Sequence, residues 1–241
     1  MSLLSNLSTD EKIASEKDSV GGGSYLLESG CYNASVAMAY ITKSKGGALG
    51  LVLTLKTTEG KEVRQTLWMT SGTDKGCKNY YEKDGEKFYL PGFNHANSLA
   101  LLTVGKEISQ LDTETKVVNV YSPEAKAEVP TKVEVVMDLL GKDIIVGVIK
   151  QIVDKNVKDA SGAYVPSGET REENEIDKLF RARDRMTTAE IRAQATEAKF
   201  IDTWIEKWAG KTRDKSKGTS GTAGAPKAAA AAKKPTTSLF A

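Results

Sequence analysis

Aromatic and basic side chains are interleaved between Trp68 and Phe93, and this stretch holds the residue types best suited to binding chemistry. Six of the sixteen aromatic residues of the chain lie there: Trp68, Tyr80, Tyr81, Phe88, Tyr89 and Phe93. Four lysines are interleaved with them, Lys75, Lys78, Lys83 and Lys87, while Arg64 lies just upstream and Lys43 and Lys45 lie on a predicted preceding turn. Bases that stack on exposed rings contribute about 1–3 kcal/mol each without reading sequence, while lysines hold the phosphates. The pattern predicts a site for single-stranded nucleic acid.

The same stretch also has a purely structural interpretation. Aromatic residues of β-rich domains mostly form the core, so Trp68 at a strand end could equally be buried. Tyr80 and Tyr81 are consecutive, and neighbouring strand residues point to opposite faces, so we expect at least one of the two to be exposed. Four acids reduce the local positive charge, namely Asp74, Glu82, Asp84 and Glu86. Base stacking and core packing therefore both remain open here.

Enzymatic and metal chemistry has little support in the sequence. Cys31, Cys77 and His95 are scattered and lack the paired spacing of structural zinc sites. His95 is the only histidine, and no nucleophile motif accompanies it. Asp138 and Asp143 at predicted strand ends could serve a nuclease, but acids at such positions are usually solvated turn residues. We expect no enzymatic activity, no metal and no cofactor.

Strands are the elements expected to position the aromatic stretch. Apolar residues with a period of two, separated by glycine-containing turns, predict a meander of three strands over residues 31–43, 49–57 and 62–70. Asn94 is a candidate cap for a short helix that reaches about Val104. Further strands are predicted over residues 116–121, 132–139 and 143–154. This order favours a mainly β fold, an OB-like antiparallel barrel over residues 24–170.

The segments on either side of this domain have different compositions. Residues 1–23 are polar and predict a flexible N-terminal arm. Residues 171–209 are rich in Ala, Glu and Arg and predict a helical appendage, in which Phe200, Trp204 and Trp208 recur at helical spacing. Thr187 and Glu190 have the spacing of a capping box and predict the start of a helix there. This apolar stripe either packs on the barrel or docks a second copy or a partner protein. Residues 210–241 are of low complexity and predict a disordered basic tail.

The charge of the chain is unevenly distributed. The net charge is +2, yet seven basic residues and one acid follow from Gly210 onward, so the remainder is net acidic. A globally basic body, the usual mark of nucleic-acid binding, is absent, and a local patch must carry any such activity. The chain shows no apolar run of about 20 residues, no secretory signal pattern and only two cysteines. We therefore expect a cytoplasmic protein that does not associate with membranes.

Five segments spanning about Lys17 to Phe180 are distinctive in combination. They read KDSVGGGSYLLESGCY, RQTLWMT, KNYYEKDGEKFYLPGFN, EVPTKVEVVMDLLGKDIIVGVIKQ and SGETREENEIDKLF. Together they resemble the single-stranded DNA-binding proteins of podovirus-type bacteriophages. The resemblance implies an OB-like domain that coats single strands during phage DNA replication and recombination in the host cytoplasm. It also implies that the C-terminal segment contacts phage replication proteins or host RNA polymerase. The tails of such proteins are typically acidic with a terminal aromatic residue, whereas this tail is basic and keeps Phe240.

The sequence thus predicts a non-enzymatic, sequence-independent single-stranded DNA-binding protein. The residues predicted to contact DNA are Lys43, Lys45, Arg64, Trp68, Lys75, Lys78, Tyr80, Tyr81, Lys87, Phe88 and Tyr89. The residues predicted to contact a partner protein are Trp204, Trp208 and Phe240. Three alternatives remain: a strand-annealing protein with the same binding chemistry, an adaptor that binds a host or phage protein, and a small nuclease. The oligomeric state is left open.

Overall fold

The computed structural model describes residues 26–122, 124–158 and 164–217, and the described part of the chain is mainly β. Its strands are β1 (Gly30–Lys43), β2 (Leu49–Thr57), β3 (Glu62–Trp68), β4 (Tyr80–Lys83), β5 (Glu86–Tyr89), β6 (Glu114–Ser122), β7 (Ala127–Val135), β8 (Asp143–Lys158), β9 (Tyr164–Arg181) and β10 (Thr212–Asp214). Its helices are α1 (Pro91–Thr103), α2 (Thr188–Arg192) and α3 (Phe200–Trp208). The predicted N-terminal arm, most of the predicted tail and Phe240 lie outside the described residues.

The main sheet is antiparallel except for β10. β1 pairs with β2 on one edge, and β2 pairs in turn with β3. The other edge of β1 pairs with β8 over residues 30–35 and with β7 at Tyr40 and Ile41. β9 then pairs along β8. Strands β3, β2, β1, β8 and β9 therefore follow one another around a single core.

The two end strands of this order, β3 and β9, are joined by a side chain rather than by a ladder. The backbone N–H of Ile176 in β9 donates a hydrogen bond of 2.7 Å to Oε1 of Gln65 in β3. Next to it, Asp177 is an extra residue in β9, because Val148 of β8 pairs with Ile176 and Gly147 pairs with Lys178. Between β3 and β9 the described residues form no backbone ladder, so the sheet stays open along a seam.

The main core lies between the inner face of the sheet and α1. The alternation of β2 buries Leu51, Leu53 and Leu55 completely, and α1 adds the buried Ala96 and Leu99. Each fully buried leucine contributes about 1.5–3 kcal/mol. α1 contacts β3 on one side of the seam and β9 on the other, so it closes the core where the sheet does not.

α1 begins three residues before the predicted cap. Pro91 occupies its first turn, where a fixed φ suits the helix and the missing N–H has no intrahelical acceptor. Leu90 precedes it in an extended conformation and makes no side-chain cap. The proline therefore starts the helix, and Asn94 lies within it.

The hairpin of β6 and β7 covers part of the outer face of the sheet. Val120 and Val133 of the hairpin pack against Tyr40 and Val52, which point outward from β1 and β2. These contacts are with β1 and β2, and the outer face of the next strand, β3, is not part of them.

Part of the predicted helical appendage is strand. Residues 171–181 continue β9 and complete the ladder with β8, from Arg171 opposite Val153 to Arg181 opposite Ile144. The Glu- and Arg-rich composition favours a helix locally, but pairing with β8 and burial of Ile176 and Phe180 override that preference. Helix returns at α2, which opens with the predicted capping box of Thr187 and Glu190.

α3 packs its apolar stripe on the outer face of β8. Ile201 and Trp204 form a second cluster with Ile145, Ile149 and Phe180. The Trp204 ring is 3% exposed and lies over Gly147, where an added Cβ would come within 3.1 Å of it. Trp204 is therefore a core residue, and the prediction that it contacts a partner is wrong.

The predicted tail starts with an ordered segment, so the prediction of disorder from residue 210 is wrong up to Lys217. β10 runs parallel to β8, with Thr212 opposite Lys150 and Asp214 opposite Ile152. Because β1 begins at Gly30, opposite Val148, β8 continues past the start of β1 with an edge that β10 fills. Among the described helices, none is long and apolar enough to cross a bilayer.

Candidate nucleic-acid interface

Trp68 ends β3 and lies on the outer face of the sheet. It pairs with Gly50 of β2, and a Cβ at Gly50 would come within 2.9 Å of the indole ring. The absence of that Cβ lets the ring lean over the neighbouring strand. At 43% exposure, Trp68 keeps a large part of its surface in solvent. Arg64, four residues before Trp68 in β3, lies on the same face and donates a hydrogen bond of 2.9 Å to the Tyr40 hydroxyl.

β4 and β5 form a two-stranded ribbon that presents aromatic rings on both faces. Tyr81 pairs with Phe88, and their rings stack with centroids 5.7 Å apart. Tyr80 pairs with Tyr89 on the opposite face. Tyr81, Phe88 and Tyr89 are between 41% and 57% exposed, because no third strand covers the ribbon. Phe93 lies 5.0 Å from Tyr89 and packs against the main core, which anchors the ribbon beside α1.

Two adjoining cavities form a groove along the seam between β3 and β9, which we call the seam groove. The first, of about 590 Å³, is lined by Trp68 and Lys75 among others. The second, of about 860 Å³, is lined by a ring-rich wall: Tyr81, Phe88, Tyr89 and Phe200, with Lys87 and Lys178. Pro91, His95 and Glu175 border both cavities. The two cavities therefore adjoin at these three residues, with Trp68 in the lining of the first cavity and Phe200 in the lining of the second.

Cations and rings are close neighbours in and beside the seam groove. Lys87 Nζ lies 5.1 Å from the centroid of Tyr80, and Lys78 Nζ lies 5.4 Å from it. Lys178 Nζ lies 6.0 Å from the centroid of Phe200. Lys87 also approaches Glu82 at 3.9 Å, but an exposed pair of this kind holds a lysine only weakly. These ammonium groups remain available to a ligand with negative charge.

His95 is half-buried at the junction of the two cavities. Its Nε2 lies 2.9 Å from the backbone oxygen of Asp177, and since a carbonyl only accepts, Nε2 carries the proton. Burial lowers the pKa of His95, and the Lys178 charge lowers it further, while the hydrogen bond to Asp177 acts in the opposite direction. The imidazole is therefore neutral near pH 7.

The candidate zinc ligands do not meet. Cys31 lies on β1, Cys77 in the turn before β4, and His95 on α1. Burial raises the pKa of the Cys31 thiol to about 12, which disfavours the thiolate that a metal would need. The described ranges contain no cluster of three or more His, Cys, Asp or Glu side chains arranged to hold a metal ion.

The structure brings together about half of the residues predicted to contact DNA. The members of the prediction that line the seam groove are Trp68, Lys75, Tyr81, Lys87, Phe88 and Tyr89. Tyr80 lies beside it on the ribbon, and Lys78 lies two residues before the ribbon with its Nζ near the Tyr80 ring. Lys43 is the last residue of β1, Lys45 lies on the turn from β1 to β2, whose Gly46 borders the groove, and Arg64 lies on the outer face of β3.

Phe200 and Lys178 line the seam groove although the sequence did not predict either as a DNA contact. Phe200 belongs to the apolar stripe of α3, but it is the first residue of that helix and is 40% exposed. The sequence signal for its exposure was its position at the end of the stripe, before Ile201 and Trp204, which are both buried. Lys178 follows the bulge of β9, and no local pattern marks it.

No protein-family model matches this chain, and no curated protein matches its sequence.

Proposed function

We propose that the protein binds single-stranded DNA without sequence preference, in the seam groove. The observation that carries this proposal is the lining of the groove, where exposed rings from β3, the ribbon and α3 occur together with three lysines. Single strands offer unpaired base faces for stacking and phosphates for lysines, and this mixture of groups serves both. A duplex has its bases already stacked on one another and would gain only the charge contacts.

The scaffold that we propose is an OB-like barrel. Three meander strands, a helix and two further strands that return beside them are in keeping with the partly open five-stranded OB architecture. The Gln65 contact to Ile176 takes the place of a ladder where such a barrel would close. Because the β6–β7 hairpin covers the outer face at Tyr40 and Val52, the proposed path follows β3 and the seam.

The proposed mechanism is stoichiometric binding without covalent chemistry. One base stacks on Trp68 at the first end of the groove, and further bases stack on the Tyr81 and Phe88 pair and on Phe200. Lys75, Lys87 and Lys178 hold the intervening phosphates. A strand held in this way is kept from reannealing and from nucleases.

The biological setting that we propose follows from the resemblance to podovirus single-stranded DNA-binding proteins. It is phage DNA replication and recombination in the host cytoplasm, with phage replication proteins or host RNA polymerase as partners of the C-terminal segment. Trp208 is half-buried, and Phe240 lies beyond the described residues, so their part in such contacts stays a prediction.

The test is a titration with oligo-dT and with a mixed-sequence oligonucleotide, in which binding is monitored by tryptophan fluorescence. We expect quenching with both, and Tyr81→Ala to weaken both by about 5- to 100-fold because one stacking ring is lost. Tyr121→Ala is the matched control, since Tyr121 is 54% exposed on β6 and does not line the seam groove. We expect it to bind like the unaltered protein.

Four outcomes would contradict the proposal or change it. Equal affinity for duplex and single strand would contradict stacking. A loss for Tyr121→Ala as large as for Tyr81→Ala would move the site elsewhere. Absence of oligonucleotide binding at moderate salt would favour the adaptor alternative. Accelerated pairing of complementary strands would add annealing to the activity.

A further inference from the structure

Glu175 lies at a position that is unfavourable for a groove that binds a polyanion. Its side chain borders both cavities of the seam groove, so its carboxylate stands near the middle of the proposed path. Asp177, two residues further along β9, lines the larger cavity. An uncompensated carboxylate at this point would repel phosphates on either side of it.

Two cations from β10 and the residue after it compensate these carboxylates. The Arg213 guanidinium pairs with the Glu175 carboxylate and lies 3.4 Å from Asp177 Oδ1. Lys215 Nζ lies 2.7 Å from Glu175 Oε2. Arg213 and Glu175 are each less than one-third exposed, so solvent screens the pair less than it screens a surface ion pair.

The backbone around Arg213 is held in place by several independent contacts. The residues concerned, Gly210–Lys217, are named here the C-terminal clip. At its start, the Gly210 N–H donates to the backbone oxygen of Ser29. In its middle, β10 pairs with β8. At its end, the Lys217 N–H donates to Asp154 Oδ2 at 2.9 Å. The clip therefore presents its cations to Glu175 in a fixed register.

We propose that the C-terminal clip makes the seam groove able to accept a phosphate backbone, with Arg213 and Lys215 as positioning residues that neutralise Glu175 and Asp177. The inference rests on the proposed function and assigns a role to a segment that the sequence predicted to be disordered. Neither cation needs to touch DNA, because each acts by removing the repulsion of a carboxylate that borders the path.

The proposal fixes the sign of three effects. Arg213→Gln combined with Lys215→Gln exposes the carboxylates and weakens binding. Glu175→Gln alone leaves two cations beside the groove and tightens binding. Glu175→Gln added to the double variant removes the main uncompensated charge and restores affinity. A merely structural ion pair would instead give losses for every one of these variants.

The experiment is the oligo-dT fluorescence titration on the full chain, at about 50 mM and about 200 mM salt. We expect the double variant to bind about tenfold more weakly at the lower salt and to lose less at the higher salt, since the effect is electrostatic. Glu175→Gln should bind several-fold more tightly, and the triple variant should return to within about twofold of the unaltered protein. Arg171→Gln is the matched control, because Arg171 pairs with Glu173 on the same strand and does not line the groove.

Thermal unfolding of each variant identifies any that fails to fold. If the double variant fails to fold, the affinity of Glu175→Gln still tests the role of the clip. Weaker binding by Glu175→Gln, or no recovery in the triple variant, would overturn the role of the clip. If the unaltered protein binds oligo-dT but no variant differs from it, only this inference fails. If the unaltered protein does not bind oligo-dT, the proposed function fails and the inference with it.

Discussion

At the scale of single residues, the aromatic side chains of the 68–93 stretch divide between core and surface. Phe93 packs on the main core, whereas Trp68, Tyr81, Phe88 and Tyr89 remain exposed. The division has a simple cause: among the described residues no third strand pairs with the ribbon, and Trp68 lies at the end of its strand. A contiguous patch of exposed apolar surface of this kind often marks an interaction site, whereas rings exposed singly do not.

His95 gives a prediction about stability. Its pKa is lowered from an ordinary value near 6.5, so the unfolded chain accepts a proton that the folded chain resists. The contribution of His95 to the free energy of unfolding is therefore complete above about pH 6.5 and is lost as the pH falls below that value. We expect His95→Gln to reduce the decrease in stability between about pH 7 and about pH 5.5.

The measurement is urea denaturation of the unaltered protein and of His95→Gln across this pH range. The glutamine amide can still donate to the Asp177 carbonyl, so the variant should fold. Asp184 and Glu190 also have lowered pKa values, but as carboxyls they affect stability at lower pH. An unchanged pH dependence in His95→Gln would show that His95 does not carry it.

At the scale of elements, α3 illustrates how one helix serves two purposes. Trp204 and Ile201 fix it on the outer face of β8, and this placement brings Phe200 to the wall of the seam groove. Trp204 Nε1 also donates a hydrogen bond of 2.8 Å to Asp177 Oδ2, in the bulge of β9. The packing of α3 is thus a condition for the shape of the groove.

We expect Trp204→Ala to lower the free energy of unfolding by about 3–5 kcal/mol, because it leaves a cavity above Gly147 and removes the hydrogen bond to Asp177. Trp208→Ala is the control, since Trp208 is only half-buried, and we expect it to cost about 1 kcal/mol. Chemical denaturation followed by circular dichroism measures both. Equal losses for the two variants would contradict the assignment of Trp204 to the core.

At the scale of the whole molecule, the lysines of the groove and the lysines of the C-terminal tail form two separate groups. The residues before Gly210 are net acidic, and three of their lysines line the seam groove, while three further lysines follow the C-terminal clip at positions 227, 233 and 234. These lysines lie outside the described residues, and no acidic side chain accompanies them. We infer that they add attraction for phosphates without base contacts.

Deletion of residues 218–241 should therefore weaken oligo-dT binding and reduce the slope of log affinity against log salt by about 2, as expected for three lost phosphate contacts. The deletion leaves the clip in place, so it separates this effect from that of Arg213. Replacement of the three lysines by glutamine in the full chain should give the same reduction. An unchanged slope would show that the tail does not contact DNA.

The local patterns of the sequence predicted much of the fold. Alternation in residues 49–57 gave the bounds of β2, and Thr187 with Glu190 gave the start of α2, because strand periodicity and helix capping depend on near neighbours. The same reasoning predicted the mainly β character of the domain, the concentration of aromatic and basic residues at 68–93, and the exposure of at least one of Tyr80 and Tyr81.

Tertiary structure alone decided the features that depend on distant partners. Residues 171–181 are strand because β8 lies beside them, Gly210–Lys217 is ordered because β8 has a free edge there, and Trp204 is buried because Gly147 makes room for its ring. The meeting of Glu175 with Arg213 likewise joins two segments that no local pattern relates. Ladder pairing and burial are contacts between residues far apart in the chain, so their energies enter only once the chain has folded.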